Sequence, residues 1–138
     1  LDWKDYNEAQ LQQLQSEGKT VMVDFGAKWC VNCIVNYEVA LNTAKTRKVM
    51  DELGAVAMYA DWTDPDEKIK QKLSELDSRS IPLLVIYPGD RSKAPIIMRD
   101  LVTQQAVVDA LRRAGSSVSS SSLSFSARDQ NVATIAPQ

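Results

Sequence analysis

The sequence predicts an α/β domain built on a central mixed sheet, with parallel strands, a C-terminal antiparallel hairpin and helices on both faces. Two observations lead there. Short apolar runs bounded by Gly, Pro or Asp alternate with longer stretches of helical spacing, which is the pattern of strand-helix-strand units. Toward the C-terminal end, two apolar runs follow one another across Pro88-Gly89-Asp90 without a helical stretch between them, as in a hairpin.

The elements follow in order. Asn7 is placed to cap a first helix carrying Leu11 and Leu14, which should end near Glu17-Gly18 because glycine accepts the left-handed terminus. Thr20 to Phe25 reads as a strand with Val21, Val23 and Phe25 on one face and Met22 and Asp24 on the other. Asp24 thus points to a side that a covered strand keeps apolar. After Gly26-Ala27-Lys28 comes Trp29-Cys30-Val31-Asn32-Cys33, then a stretch free of Gly and Pro from Ile34 to Leu53, in which Tyr37, Leu41, Ala44 and Lys48 keep helical spacing. The cysteine pair therefore opens a helix. Ala55 to Ala60 reads as a buried strand, and Asp64-Pro65-Asp66-Glu67 as an N-cap, a first-turn proline and an N3 glutamate ahead of Ile69, Leu73 and Leu76. Pro82 to Tyr87 and Ile96 to Leu101 are the hairpin strands, and Thr103 caps a last helix with Val107, Leu111 and Ala114 inward. From Gly115 the composition shifts, with eight serines between Ser116 and Ser126, so residues 1–114 are read as one domain and 115–138 as a flexible tail. A docked extra strand through Leu123 and Phe125 is the alternative for that tail.

At 138 residues and 44% hydrophobic content, one core is expected to hold the fold without disulfides. A formal charge of -2 with mixed signs along the chain gives no nucleic-acid surface and no polybasic membrane patch. No apolar run approaches the roughly 20 residues of a bilayer span. A start at Leu1 rather than methionine is read as a processed product or an excised piece of a longer protein.

Chemistry is expected at the two cysteines. Finger- and ribbon-type zinc sites need four ligands, and the sequence has neither a second cysteine pair nor any histidine, which leaves only a metal shared between chains. Haem attachment needs histidine after the second cysteine, where Ile34 stands. A structural disulfide across so short a loop stabilises least. At a strand-to-helix junction, by contrast, free backbone N–H groups and the helix dipole favour a thiolate. Cys30 is then the exposed nucleophile and Cys33, one turn deeper, the resolving thiol. Burial should raise the Asp24 pKa into the range for proton exchange with Cys33, the alternative being a carboxylate that merely caps or pairs in a polar pocket. Ile81-Pro82 opens a buried strand, where proline suits a first position and an X-Pro bond is the kind that goes cis. Trp29 is read as an aromatic rim for partner contact, and Trp62 as either core or rim.

These residues resemble the thioredoxin superfamily. VMVDFGAKWCVNC before a helix, then AMYADWTDPDE, then SIPLLVIYPGD carry the resemblance, which covers about Asp2 to Ala114 and implies the thioredoxin fold. It implies that Pro82 is cis and lies against the cysteine pair, and that Ile81 offers backbone hydrogen bonds to an extended partner segment. Trp29, Val31, Asn32, Ile81 and Pro82 then form the partner-binding surface. Val31-Asn32 and Ala60-Asp61-Trp62-Thr63 are most similar to the C-terminal thioredoxin-like domain of DsbD-type transmembrane thiol:disulfide interchange proteins. Ordinary thioredoxins carry Gly-Pro between their cysteines. The resemblance implies a monomeric electron relay on the periplasmic side of the inner membrane, with the cytoplasm as alternative, and a link to cytochrome c biogenesis. A membrane reductase domain would donate electrons, and thioredoxin-like or other disulfide-bearing proteins would accept them. No cofactor, metal or nucleic acid is implied beyond the Cys30–Cys33 disulfide. A general thioredoxin, or a peptide-binding module using the disulfide as switch or tether, are the other readings.

Overall fold

The computed structural model describes residues 1–118. A five-stranded sheet has the order β1-β3-β2-β4-β5, formed by β1 (Trp3–Asp5), β2 (Val21–Gly26), β3 (Val56–Asp61), β4 (Leu83–Tyr87) and β5 (Ile96–Arg99). Helices α1 (Glu8–Ser16), α2 (Val31–Asn36), α3 (Ala44–Leu53), α4 (Glu67–Glu75) and α5 (Gln104–Ala114) surround it, with a π-helical turn at Tyr37–Leu41. The alternation expected along β2 sorts the core. Met22 joins Leu84, Ile86, Met50, Val107 and Leu111 on one face, while Val21, Val23 and Phe25 pack with Leu11, Ile69 and Leu73 on the other.

Several elements depart from their sequence-based bounds. β1 was not expected, since three residues are too few to show alternation; it pairs parallel to β3, Trp3 opposite Ala57. The single helix expected from Ile34 to Leu53 is broken after the π turn. Thr43 takes an extended backbone and its Oγ1 accepts from Thr46 N at 3.1 Å, recapping the chain as α3. α4 is capped by Asp66, whose Oδ1 accepts from Lys68 N and Ile69 N, so Asp64-Pro65 belong to the approach loop. β5 stops at Arg99 because Asp100 adopts φ 61°, outside the strand region. β4 runs antiparallel to β2 as well as to β5, so only β1, β3 and β2 run parallel.

That last difference positions the site. Gly26 at the end of β2 lies opposite Asp61 at the end of β3, and Phe25 lies opposite Leu83 at the start of β4. One edge of the sheet thus collects the loop after β2, the loop after β3 and the entry to β4.

Residues 115–118, assigned to the tail by composition, are tied to the body. Thr20, fully buried, donates from Oγ1 to Gly115 O at 2.8 Å, accepts from Gly89 N at 3.0 Å, and gives its own N–H to Ser117 Oγ at 2.8 Å. Ser117 N donates to Leu53 O and Val118 N to Gly18 O. Gly18, at φ 80°, is required here, since a Cβ would collide with the Val118 carbonyl. The strand considered through Leu123 and Phe125 lies outside the described residues.

Thr20→Val keeps the shape of the side chain but leaves the buried Gly89 N–H and the Gly115 carbonyl without their partner. The expected loss is about 1–3 kcal/mol in urea unfolding, with Thr20→Ser close to wild type. Equal midpoints for Val and Ser would show that the hydroxyl contributes nothing.

Candidate active site

Cys30 and Cys33 are joined as a disulfide with their Cα atoms 5.2 Å apart. Cys30 is the N-cap of α2, and its Sγ accepts from Cys33 N at 3.2 Å. The backbone of Cys30 is extended, so the chain turns into the helix at the sulfur. Cys30 is 8% exposed and Cys33 6%. The expectation that Cys30 stands open is therefore corrected for the disulfide form: Ala27 and Ile81 pack against the pair and cover both sulfurs. What separates the two cysteines is their surroundings. Cys33, together with Asp24, lines a cleft of about 470 Å³ whose other walls include Trp3, Tyr37 and Tyr59.

Asp24 is 5% exposed and sits in the middle of β2, which is paired on both edges. Burial pushes its carboxyl from an ordinary 3.8 up to about 7, and no neighbouring positive charge opposes that shift. Tyr59 is the register partner of Asp24 on β3. A Cβ on Gly26 would stand 3.2 Å from the Tyr59 hydroxyl and 3.4 Å from Cys33 Cβ. Glycine at that position therefore lets the phenol, the thiol carbon and the strand end converge. Burial, followed by the charges of Asp61 and Asp24, pushes the Tyr59 phenol up to about 12, so it stays protonated and able to donate near neutrality.

The peptide bond between Ile81 and Pro82 is cis. Ile81 lies against the cysteine pair, Pro82 is buried, and the Pro82 carbonyl accepts from Asp100 N at 3.1 Å. Among the described residues, no backbone hydrogen bond engages Ile81. Trp29 is 61% exposed, yet its Nε1 donates to Thr63 O at 2.9 Å, and Lys28 N donates to Thr63 Oγ1. Thr63 is in turn held by the Asp61 carboxylate. The Asp61-Trp62-Thr63 segment thus fixes the loop before Cys30. Trp62 serves as both core and rim: it packs against the α1 and α4 side of the core and lines a surface cleft with Trp29.

Val31 is the most exposed of the large apolar residues at 71%, and Ile34, Val35 and Val39 continue an apolar surface along the same stretch. Asn32 does not simply face outward. Its Nδ2 donates to Asp100 Oδ1 at 3.1 Å, and the buried Asn36 bridges Asp100 O and Val102 N. Tyr59, Asn36 and Asp100 were missed by sequence reasoning. Of the three, only Tyr59 carried a signal, as a polar-tipped aromatic within the apolar run Ala55 to Ala60.

A family model described as thioredoxin-like matches residues 2–89. The chain is 30% identical over 99 residues to the thiol:disulfide interchange protein DsbD of Photorhabdus laumondii, across 69% of this chain and 17% of that protein. It therefore spans about a sixth of that relative's length. It is also 32% identical over 84 residues to a thioredoxin of Mycoplasmoides gallisepticum, across 59% of this chain and 72% of that one. Among solved structures, the reduced DsbD C-terminal domain of Neisseria meningitidis superposes with TM-score 0.63 at 16% identity, covering 80% of this chain and 98% of that chain. A thioredoxin from Thermus thermophilus gives 0.60 at 17% identity, covering 82% and 87%. At these identities the superpositions establish the fold.

Asp24→Asn tests the buried carboxyl. In the folded chain Asp24 holds its proton up to about pH 7, whereas in the unfolded chain it releases it near 3.8. The folded state binds more protons between those values, so wild-type stability falls as pH rises through that window and is level above it. The variant lacks this slope, and its stability relative to wild type should grow by on the order of 3–4 kcal/mol across the window. A difference that stays constant from pH 4 to pH 8 in urea unfolding would refute the assignment.

Proposed function

The chain belongs to the thioredoxin-like family and, with its Cys30–Cys33 disulfide, is a thiol:disulfide oxidoreductase; we propose that it works as a dithiol reductant that relays electrons to partner disulfides. The observation that carries the reading is the cleft that Cys33 lines together with Asp24 and that Cys30 does not line: a carboxyl able to exchange a proton shares the space of the inner cysteine alone.

The cycle starts from the dithiol. Cys30 as thiolate attacks one sulfur of the partner disulfide, that bond breaks, and the departing partner thiolate takes up a proton. A mixed disulfide now joins Cys30 to the partner. Asp24 accepts the proton of Cys33, and the Cys33 thiolate attacks Cys30 Sγ. The second partner sulfur leaves and is protonated, with Asp24 returning its proton through the cleft. Two electrons and two protons have moved to the partner, and Cys30–Cys33 is again a disulfide.

Partner contact falls to the residues already assembled around the pair. Ile81, whose backbone groups are free of intramolecular bonds among the described residues, offers them to an extended segment in the manner of strand addition. Trp29 and Val31 supply exposed apolar contact on either side of Cys30. Since the chain has two cysteines only, re-reduction comes from another protein or domain. Likeness to DsbD supports a membrane reductase domain as donor, a disulfide-bearing thioredoxin-like protein as acceptor, and a periplasmic setting. Net direction follows the reduction potential, which in this superfamily runs from about -270 mV for thioredoxin to about -120 mV for a strong oxidant.

Two variants separate the steps. Cys33→Ser should accumulate the mixed disulfide with a reducible partner such as insulin. Asp24→Asn should slow release from that intermediate by about tenfold or more near pH 7 while leaving attack by Cys30 within about twofold, since only the inner thiol depends on the carboxyl. Both are read by acid-quenched alkylation and mass analysis. Equal slowing of both steps would remove Asp24 from the chemistry. Wild-type turnover of insulin with dithiothreitol no faster than that of Cys33→Ser would overturn the reductase reading.

A further inference from the structure

Resting on that reading, a second positioning device is built beside the cysteines. Asp100 follows β5 with φ 61°, a conformation uncommon outside glycine that aspartate and asparagine tolerate best and that local hydrogen bonds hold in place. Three of its polar groups make such bonds. The Asp100 N–H donates to Pro82 O at 3.1 Å, its carbonyl accepts from Asn36 Nδ2 at 2.9 Å, and its carboxylate accepts from Asn32 Nδ2 at 3.1 Å. The first bond grips the start of β4 and the other two grip α2. Asn36 is only 4% exposed and spends its remaining oxygen on Val102 N at 3.0 Å, so the α2 side of the bridge is anchored in turn.

An extended partner segment that pairs with Ile81 while its sulfur meets Cys30 has to lie between these two gripped elements. We propose that Asp100 is a positioning residue for disulfide exchange: by holding Asn32 on one side and Pro82 on the other, it sets the width of the slot that receives the partner chain. The role of Asn32 in partner binding is then indirect. Its side chain is committed to Asp100, and it acts by keeping the cysteine turn in place.

The backbone and side-chain parts of the device are separable. Asp100→Gly accepts the left-handed backbone and keeps both main-chain bonds, but removes the bond to Asn32. Asn32→Ala removes the same bond from the other side. Asp100→Asn retains an acceptor oxygen and tolerates the left-handed region. The readout is the rate at which the Cys30–Cys33 disulfide is reduced by an unstructured peptide carrying two cysteines, divided by the rate with dithiothreitol, which is too small to need the slot. Loss of one hydrogen bond of about 1 kcal/mol should lower that ratio about fivefold in Asp100→Gly and in Asn32→Ala. The double variant should fall no further, and Asp100→Asn should stay within about twofold of wild type.

An unchanged ratio in Asp100→Gly would overturn the proposal, as would equal losses with peptide and dithiothreitol, effects that multiply in the double variant, or a wild type without preference for the peptide. Because any thiol can reduce the disulfide, this ratio is measurable even if the chain fails to turn over insulin, so failure of the reductase reading and failure of the slot are distinguishable.

Discussion

Placing a carboxyl in the middle of a strand that is paired on both edges and covered on both faces is the constraint around which this molecule is arranged. Asp24 has β3 on one side and β4 on the other and lines the cleft it shares with Cys33. An unpaired charge in such a place is costly, and the group answers by keeping its proton. The same burial that makes Asp24 a poor anion brings its proton exchange to about pH 7, the property that the proposed relay to Cys33 draws on. In stability terms the site works against the fold: above the unfolded-state pKa, the group contributes less than a neutral side chain would.

The topology makes that sacrifice useful. Because β4 runs antiparallel to β2, the chain enters it at the edge where β2 and β3 end. Three connections from distant parts of the sequence meet there, and each brings one component. The loop after β2 carries the cysteines, Asp61-Trp62-Thr63 at the end of β3 buttresses Trp29, and Ile81 before β4 packs against the disulfide. Asp100 joins from the end of β5 and ties the first of these components to the third. Had β4 run parallel to β2, its first residues would lie at the opposite edge, and Ile81 would not reach the cysteine pair.

Much of this was legible in the sequence, and the illegible remainder has physical causes. Alternation gave β2, bounded apolar runs gave β3 and β4, residue type gave the caps at Asn7 and Thr103, and the anomaly of an acid on an apolar face gave Asp24. β1 was hidden because three residues carry no period. The break at Asn42-Thr43 was hidden because neither residue stops a helix by propensity alone; the hydroxyl of Thr43 and the buried Thr46 bond to Ala40 O decide it in three dimensions. The cap of α4 lies at Asp66 rather than Asp64 because both acids suit an N-cap by residue type, and it is the Asp66 carboxylate that accepts from Lys68 N and Ile69 N. Asp100 was invisible for a different reason. Its role depends on Asn32 and Pro82, 68 residues and a whole two-stranded hairpin away along the chain, and no local pattern encodes a contact of that range.

The two sulfurs end up in unlike surroundings, and in the proposed cycle that asymmetry orders the reaction. Cys30 faces an exposed apolar rim, where a partner can exclude water from the exchanging sulfurs without supplying any proton acceptor. Cys33 shares a cleft with Asp24, and in the proposed cycle it gives its proton to that carboxyl, since two anions side by side there would repel. Attack by Cys30 therefore precedes activation of Cys33. The inner thiol is thus held in reserve until the mixed disulfide exists. With a partner held by strand pairing rather than by deep pockets, this delay gives a shallow surface time to complete a two-electron transfer before the complex dissociates.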